Sequence, residues 1–508
     1  MTSGRAPPRV AESEVGETEA VREAAAENSD GLQFASAAGR WVVAATVLGS
    51  GLASLDASVV GIALPVIGRD FHASVAGLQW VSNGYLLTLA GLLLLGGSLG
   101  DRYGRRRIFS IGVAWFALAS LLCAVAPNTG ALVTARLLQG IGGALLMPGS
   151  LAILQGVFRP DDRARAIGAW SGFGGLTSAI GPFVGGYLIS AVSWRLIFLI
   201  NLPLAVAVLV ISARHVPESK DPEANSPPDA VGAALATLGL VGITYGLIEG
   251  PTLSFQSPEV LLCLIGGAAL FVGFVIVERH RAHPLLPCDL FSSRQFVAAN
   301  LVTFVLYGAL SGSIFLFPFE LEQVARYSPL EAGASLLPVT LIMLVLSARM
   351  GGLATKFGPR LFMGLGPIAV AAGFGLTQRI GSHANYLSAV LPAVVVIGLG
   401  LAVTVAPLTS TVLAAAPGRH SGVASAVNND VARVGGLITI ALLPAVVGLS
   451  GASYLHPARL NHGFHLALLL CALATLASGV LSLLTIRNTP GPVQAPPRQS
   501  ASAPVSGA

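Results

Sequence analysis

The sequence predicts an all-α integral membrane protein with fourteen membrane-spanning helices. Hydrophobic residues make up 54% of its 508 residues and charged residues only 10%, whereas an ordinary soluble domain carries about 25% charged residues. The apolar residues form continuous runs of roughly 18–25 residues, the length that a helix needs to cross a bilayer. A membrane β-barrel would instead alternate apolar and polar residues over segments of about 10 residues.

The apolar runs give approximate boundaries for the fourteen spans. They lie at 41–66, 79–99, 107–126, 131–155, 164–190, 195–213, 229–249, 259–278, 296–318, 329–350, 359–378, 387–412, 421–447 and 465–486. An even number of spans places both ends of the chain on the same side. We expect segments 1–39 and 488–508, which are polar or rich in Pro, Ser and Ala, to be disordered cytoplasmic tails.

The distribution of basic residues predicts which side is cytoplasmic. Of the 29 Lys and Arg residues, twenty-two lie in the tails and in the loops on the side of the tails. Cytoplasmic loops carry such an excess, so both termini are predicted to be cytoplasmic in a plasma (inner) membrane. The net charge of +5 therefore reflects topology, and we expect no nucleic-acid partner.

Two loops share one sequence pattern and predict an internal repeat. Residues 97–106 and 351–360 both follow G-x-L-small-x-basic-aromatic-G-x-R. Eight spans separate the two copies, where duplication of a six-helix unit would give six. The prediction is a tail 1–39, an N-terminal six-helix bundle 40–213, two inserted helices with a cytoplasmic linker 214–280, a C-terminal six-helix bundle 281–487 and a tail 488–508. Transporters are often built from such repeats, with the substrate site between them.

The first copy of the loop has the residues of a tight helix corner. Its glycines permit close backbone approach, and its aspartate can pair with a nearby arginine or cap the next helix. The alternative is a basic anchor without a moving role. The candidate residues are Gly97, Asp101, Arg102, Gly104, Arg105 and Arg106.

This loop resembles the signature of the major facilitator superfamily, and the fourteen-span plan resembles its drug:proton antiporter branch. The resemblance implies a major-facilitator fold, two bundles that rock around a central cavity, and a cytoplasmic latch formed by the loop. It also implies a proton gradient as the energy source, with no cofactor. The second copy has Thr355 in place of the aspartate, so we expect a weaker latch there.

Two charged residues lie deep inside spans. A carboxylate at the depth of Asp56 costs several kcal/mol unless it is protonated or paired, and Arg136 stays charged at any relevant pH. We expect the two to meet beside the central cavity, with Arg136 controlling protonation of Asp56. A purely structural ion pair, or a packing arginine in a polar network, is the alternative. Both residues match positions of the family's motifs in spans 1 and 4, where the aspartate is associated with proton coupling.

Span 5 is rich in glycine and resembles the antiporter signature of the family. Small residues let neighbouring helices approach closely, and a proline can bend the helix. Thr177 replaces a glycine of the signature. The residues that carry the resemblance are Gly168, Gly181, Pro182, Gly185 and Gly186.

Span 13 holds a second charged group. Asp430 and Arg433 are three residues apart, so they share a helix face and are expected to pair locally. The pair is either structural or a second site for a proton or the substrate. Asn428 and Asn429 precede it and are candidates for the cavity lining.

Glu320 and Glu322 follow the apolar run of span 9. Their position predicts a solvated helix end, although they would also attract cations at the exit.

The leading functional hypothesis is proton-coupled export of small amphiphilic compounds, such as antibiotics, dyes and biocides, from a bacterial cell. The expected partners are the substrate, protons and the lipid bilayer. A proton-coupled uptake symporter of the same fold is the alternative. A membrane enzyme or receptor is disfavoured, because the sequence has no zinc-ligand helix, nucleophile elbow or phosphate loop. No metal site is expected.

Overall fold

The computed structural model describes residues 31–221, 228–281, 286, 288–416 and 421–488. Within that part of the chain, thirteen helices are long and apolar enough to cross a membrane. A further helix has 32 residues and an apolar second half. Each predicted span has its counterpart, so the predicted fold class is confirmed. The helices are α1 (Ala37–Phe71), α2 (Val75–Tyr103), α3 (Arg105–Ala124), α4 (Thr129–Val157), α5 (Pro160–Ala191), α6 (Leu196–His215), α7 (Ala230–Leu253), α8 (Pro258–His280), α9 (Arg294–Val324), α10 (Pro329–Phe357), α11 (Pro359–Arg379), α12 (Tyr386–Ala414), α13 (Ser421–Val446) and α14 (Pro457–Thr485).

Several helices begin before their apolar runs because polar caps extend them. Ser36 accepts a hydrogen bond from the backbone of the first turn of α1, Ser74 does so for α2, and Asn128 for α4. Such side chains satisfy amide groups that have no partner within the helix. The polar cap and first turn of each helix therefore lie outside the segment that hydropathy alone detects.

The end of the predicted N-terminal tail is ordered. Residues 31–36 run along the junction of α4 and α5, where the Leu32 amide donates to the Val157 carbonyl over 2.9 Å. The Phe34 amide donates to Asp162 over 2.9 Å. The prediction of disorder is wrong for this segment, because its backbone pairs with the helix ends. Residues 1–30 and 489–508 of the predicted tails lie outside the described residues.

The helices pack as two groups. Helices α1–α6 contact one another, as do α9–α14, and α5, α2 and α1 of the first group meet α10, α13 and α9 of the second. We call the groups the N-terminal and C-terminal halves. The inserted helices α7 and α8 form a hairpin, and α7 lies against both α2 and α13. Leu87, Leu240 and Leu437, from these three helices, form one buried cluster.

Within the described residues, the two halves share a buried hydrophobic core at one end only. We call the end that bears residues 31 and 488 the terminal end and the opposite end the distal end. One buried hydrophobic core at the distal end contains residues of both halves, among them Ile67 and Phe319. At the terminal end each half has a core of its own. Within the part of the chain that the structure describes, the halves are therefore closed together distally and have separate cores at the terminal end.

Hydrogen bonds between the halves follow the same division. The Gln79 side chain of α2 donates to the carbonyls of Ile440 and Ala441 over 2.7 and 2.8 Å. The Tyr454 hydroxyl donates to the Ala73 carbonyl over 2.9 Å. All of these groups lie toward the distal end, so the distal closure is held by directed hydrogen bonds as well as by apolar packing.

Glu320 and Glu322 are buried, so the prediction of a solvated helix end is wrong. They lie in the π-helical last turn of α9, with 0% and 6% of their surface exposed. Glu322 pairs over 3.4 Å with Arg69 of the N-terminal half. The reason is tertiary: this turn is covered by α14 and the first turns of α10.

Candidate functional site

Asp56 and Arg136 form a buried ion pair in the N-terminal half, as predicted. The Nη1 group of Arg136, on α4, donates to Oδ2 of Asp56, on α1. The Arg136 Nε donates to the Val81 carbonyl of α2 over 3.2 Å. Each of the two charged residues is only 1% exposed. The pair thus ties three helices together out of contact with solvent.

Two neutral side chains complete the hydrogen bonding of Asp56. Its Oδ1 atom accepts from Gln139 Nε2 over 2.8 Å and from Asn201 Nδ2 over 3.1 Å. Both amides also donate to the Ser120 hydroxyl, over 2.8 and 3.2 Å. Gln139 in turn accepts from Arg136 over 2.6 Å. Charge-assisted bonds of this kind are about twice as strong as neutral ones, so the ionised carboxylate is well held.

Aromatic rings shield the guanidinium of Arg136. Its Cζ lies 4.5 Å from the centre of the Tyr85 ring and 5.9 Å from that of Phe198. A cation over a ring face is stabilised by the ring quadrupole, by more where water is excluded. The arrangement stabilises a permanent positive charge inside the helix bundle.

The ion pair lies inside the N-terminal half. Its contacts come from α1, α2, α3, α4 and α6, all in the N-terminal half. In this conformation Asp56 is enclosed by its own half. Gln139, Asn201 and Ser120 were not predicted, although each is a polar residue inside an apolar run.

The glycines of α5 bring that helix against α1 beside the ion pair. A Cβ atom at Gly181 would lie 1.9 Å from Ser58 Oγ, and one at Gly185 would lie 2.6 Å from Val59 Cγ1. Ser58 and Val59 follow Asp56 on α1, so any larger residue would displace this part of α1.

The same helix face forms a contact between the halves. A Cβ atom at Gly186 would lie 2.5 Å from the Pro329 carbonyl of α10. Conversely, one at Gly333 of α10 would lie 2.1 Å from the Pro182 carbonyl of α5. Gly168, nearer the terminal end, has no atom within 4 Å of such a Cβ. The distal part of the glycine-rich segment thus forms a close crossing of α5 and α10.

The loop between α2 and α3 is bound to its own half. The Arg105 Nε and Nη2 groups each lie 2.8 Å from Asp101 Oδ1, and Arg102 stacks over the ring of Tyr103. Gly97 lies against Pro148 of α4, which a Cβ would approach to 3.6 Å. Over the described residues, no hydrogen bond or ion pair joins this loop to the C-terminal half, so the implied latch is not engaged in this conformation.

Glu218, after α6, caps the start of α3. Its carboxylate accepts from the backbone amides of Arg106 and Arg107 over 3.0 and 3.2 Å. The Arg106 side chain donates to the Val216 carbonyl over 3.1 Å. Gly104 has a φ of +117°, and a Cβ there would lie 2.8 Å from the Glu218 carboxylate. The glycine is required both by its backbone angle and by the anion packed against it.

The second copy of the loop repeats this arrangement with a neutral cap. The backbone amide of Arg360, which corresponds to Arg106, donates to Asn488 Oδ1 over 3.1 Å. The side-chain Nε of Arg360 donates to the Leu483 carbonyl over 2.5 Å. Gly358 has a φ of +85° and packs on Asn488. The repeat inferred from sequence is therefore also a repeat of loop structure.

Asp430 and Arg433 do not form the predicted local pair. No ion pair joins their side chains, and Asp430 Oδ1 is buried without a hydrogen-bond partner. Arg433 instead reaches across to the N-terminal half, where its Nη2 lies 3.3 Å from Met147 Sδ of α4. Both residues are half-buried and lie where the halves meet at mid-depth.

The two asparagines before Asp430 have different surroundings. The Asn428 amide nitrogen bonds to Asn300 and Thr303 of α9 over 3.1 and 2.7 Å, which binds α13 to α9. Asn429 is exposed and donates only to the Ser425 carbonyl of its own helix. Of the two, only the Asn429 side chain is thus free to line a cavity. Within the described chain, no group of three or more His, Cys, Asp or Glu residues could hold a metal ion.

Two helical halves closed at one end, with a buried ion pair in one half, are typical of a membrane transporter. The sequence profile of the Major Facilitator Superfamily matches residues 46–440. The chain belongs to that superfamily, and it is a transporter and not an enzyme.

Curated relatives place the chain among the drug-efflux members of the superfamily. It is 34% identical to the methylenomycin A resistance protein of Bacillus subtilis, over 84% of this chain and 92% of that protein. It is 36% identical to the puromycin resistance protein pur8 of Streptomyces alboniger, over 80% and 81%. It is 34% identical to the multidrug efflux pump LfrA of Mycolicibacterium smegmatis, over 78% of each chain.

Solved structures share the fold at low sequence identity. A bacterial homolog of the human lysosomal transporter Spinster, in an inward-facing and unoccupied conformation, superposes with a TM-score of 0.63 at 17% identity. The match covers 89% of this chain and 97% of that one. It supports the two-half architecture described above.

Proposed function

We propose that the chain exports small amphiphilic compounds from the bacterial cytoplasm in exchange for protons. The observation that carries the proposal is the ion pair of Asp56 and Arg136, buried among five helices of one half. An ionisable group held at that depth marks a proton or ion pathway in membrane proteins. The relatives, which are named as resistance and efflux proteins, support export over uptake.

The proposed orientation has the terminal end in the cytoplasm, as the distribution of basic residues favours. The structure is then open to the cytoplasm and closed to the outside, with Asp56 held by Arg136. In the outward-open state a proton from outside neutralises Asp56, which releases the guanidinium. Because Arg136 also binds Val81 of α2 and Gln139 of α4, its release changes the contacts between helices of this half.

The cargo is proposed to bind between the halves at mid-depth, near Asp430 and Arg433. These two charged groups have free hydrogen-bonding atoms, Asp430 Oδ1 and Arg433 Nε. They can serve either as a cargo site or as a second site for a proton. The close crossing of α5 and α10 would be part of the distal contact that opens when the halves rock.

Transport by everted membrane vesicles tests the direction and the coupling. With the interior acidified, an exporter accumulates the cationic dye ethidium or the antibiotic puromycin inside the vesicle, whereas a proton symporter would deplete a preloaded interior. We expect accumulation that collapses when a protonophore removes the pH gradient.

Two substitutions on the same helix separate coupling from folding. Asp56→Asn is expected to reduce proton-driven accumulation at least about tenfold, the loss that corresponds to 1.4 kcal/mol of coupling. Asp70→Asn is the matched control, because Asp70 is an α1 carboxylate bonded to Arg195 over 3.1 Å but exposed at the distal end. Gradient-driven export that survives in Asp56→Asn at the level of the control would contradict the coupling role.

A further inference from the structure

Glu320 is a carboxyl group enclosed at the distal closure without any hydrogen-bond partner. It is 0% exposed, and neither of its carboxylate oxygens has a partner. An unpaired charge in such a place is costly, so a buried carboxyl of this kind is neutral or paired. π-Helical turns such as Glu320–Val324 also occur frequently at functional sites.

The charged and titratable groups around this turn are engaged elsewhere or point outward. Arg69 of α1 pairs with Glu322. Glu331 of α10 is exposed and bonds to Ser328. His465 of α14 bonds to a backbone carbonyl of another segment.

The remaining groups of α14 and of the loop that precedes it do not reach Glu320 either. Arg459 and His462 of α14 are exposed, whereas the α14 residues packed into the shared core are apolar, such as Leu460 and Phe464. Burial raises the pKa of the Tyr454 hydroxyl, which therefore remains a neutral donor to Ala73. Glu320 is left as a solitary acid within the closure.

We propose that Glu320 is a proton-binding site of the distal gate, which must hold a proton from the outside medium for the gate to close. Closing encloses this carboxyl away from water and, within the described chain, without a hydrogen-bond or ion-pair partner, so the charged form opposes closure. Opening returns it to the medium, where it can lose the proton. The site is separate from the coupling role proposed for Asp56, because its proton returns to the side from which it came.

Glu322 has a complementary part in the same turn. Its Oε2 lies 3.4 Å from Arg69 Nη2, and this ion pair joins α9 of one half to α1 of the other. Unlike Glu320, it has a cation and serves closure in its charged form. The gate therefore contains one carboxylate that must stay charged and one carboxyl that must be neutral, and acid outside favours closure through Glu320 alone.

The distance between the halves at the distal end tests the proposal. Spin labels at Val125→Cys and Leu387→Cys, on exposed distal sites of the two halves, would be read in liposomes with the four native cysteines replaced. Acidification from about pH 8.5 to about 5.5 should shift the wild-type population toward the short distance by roughly tenfold or more, as one linked proton predicts.

Three glutamine variants make the result specific. E320Q, neutral at every pH, should stay at the short distance throughout the range. E322Q should shift toward the long distance at every pH. E331Q, a substitution at an exposed site, is the matched control and should behave as wild type.

A full wild-type response to pH in E320Q would overturn the proposal, and so would an open distal end in E320Q. D56N should keep the response of this gate even if it no longer transports, so the two proposals fail separately.

Discussion

Two carboxyl groups buried in the same helix bundle have opposite surroundings. Asp56 accepts hydrogen bonds from Arg136, Gln139 and Asn201, whereas Glu320 accepts none. Both are almost completely enclosed. Burial alone therefore does not define what an intramembrane acid does; the donors around it decide whether this conformation holds the charged or the neutral form.

The largest expected effect comes from removing the acid that is paired. Asp56→Leu leaves Arg136 buried without a counter-charge, and breaking a buried pair in this way costs about 3–5 kcal/mol. We expect a much lower thermal unfolding temperature in detergent, measured by tryptophan fluorescence. Restoration of stability by adding Arg136→Met would show that the uncompensated guanidinium causes the loss.

At Glu320 the same replacement should have the opposite sign. Glu320→Leu exchanges an unpartnered carboxyl for an apolar side chain inside a hydrophobic core, which removes a desolvation penalty of about 1–3 kcal/mol. The unfolding temperature should rise or stay constant. A drop as large as that of Asp56→Leu would mean that Glu320 has a partner and would remove the contrast between the two sites.

The crossing of α5 and α10 offers a smaller test, because it stabilises distal closure without touching either acid. In Gly333→Ala the new Cβ would lie 2.1 Å from the Pro182 carbonyl, and overpacking of this kind costs about 1–3 kcal/mol. The distal spin-label distance should lengthen. Gly352→Ala, on the same helix with open space around it, is the control and should leave the distance unchanged.

The smallest effect is expected at Tyr454, which bonds across the distal end. Tyr454→Phe removes one hydrogen bond to Ala73, worth about 0.5–1.5 kcal/mol. Because burial raises the pKa of this hydroxyl above its ordinary value of 10.0, the bond is present at all lower pH values and is lost only in stronger alkali. The variant should weaken closure equally at acid and neutral pH, as read from the spin-label distance. A change in the slope of the pH response would instead assign the gate proton to Tyr454.

The spans and the meeting of Asp56 with Arg136 could be predicted because hydropathy and depth along a helix are properties of the sequence. Thr177 stands where the signature has glycine, and α5 accommodates it because the opposite residue on α1 is Gly51. A Cβ atom at Gly51 would lie 3.3 Å from the methyl group of Thr177. The partners Gln139 and Asn201 could have been suspected as polar residues in apolar runs.

The rest depends on packing that one helix does not reveal. Spacing predicted that Asp430 pairs with Arg433, but the side chain of Arg433 turns to Met147 of the other half. Position at the end of a span predicted that Glu320 is solvated, but α14 and α10 cover it. In both cases the neighbour that decides the outcome comes from a distant part of the chain.

The most direct test of the account is the number of protons released when cargo binds. Ethidium would be added to purified protein in weakly buffered detergent, with a pH-sensitive dye as the readout. We expect proton release by wild type and by Glu320→Gln, and much less release by Asp56→Asn. Undiminished release by an Asp56→Asn protein that still binds ethidium would show that the coupled proton is held elsewhere.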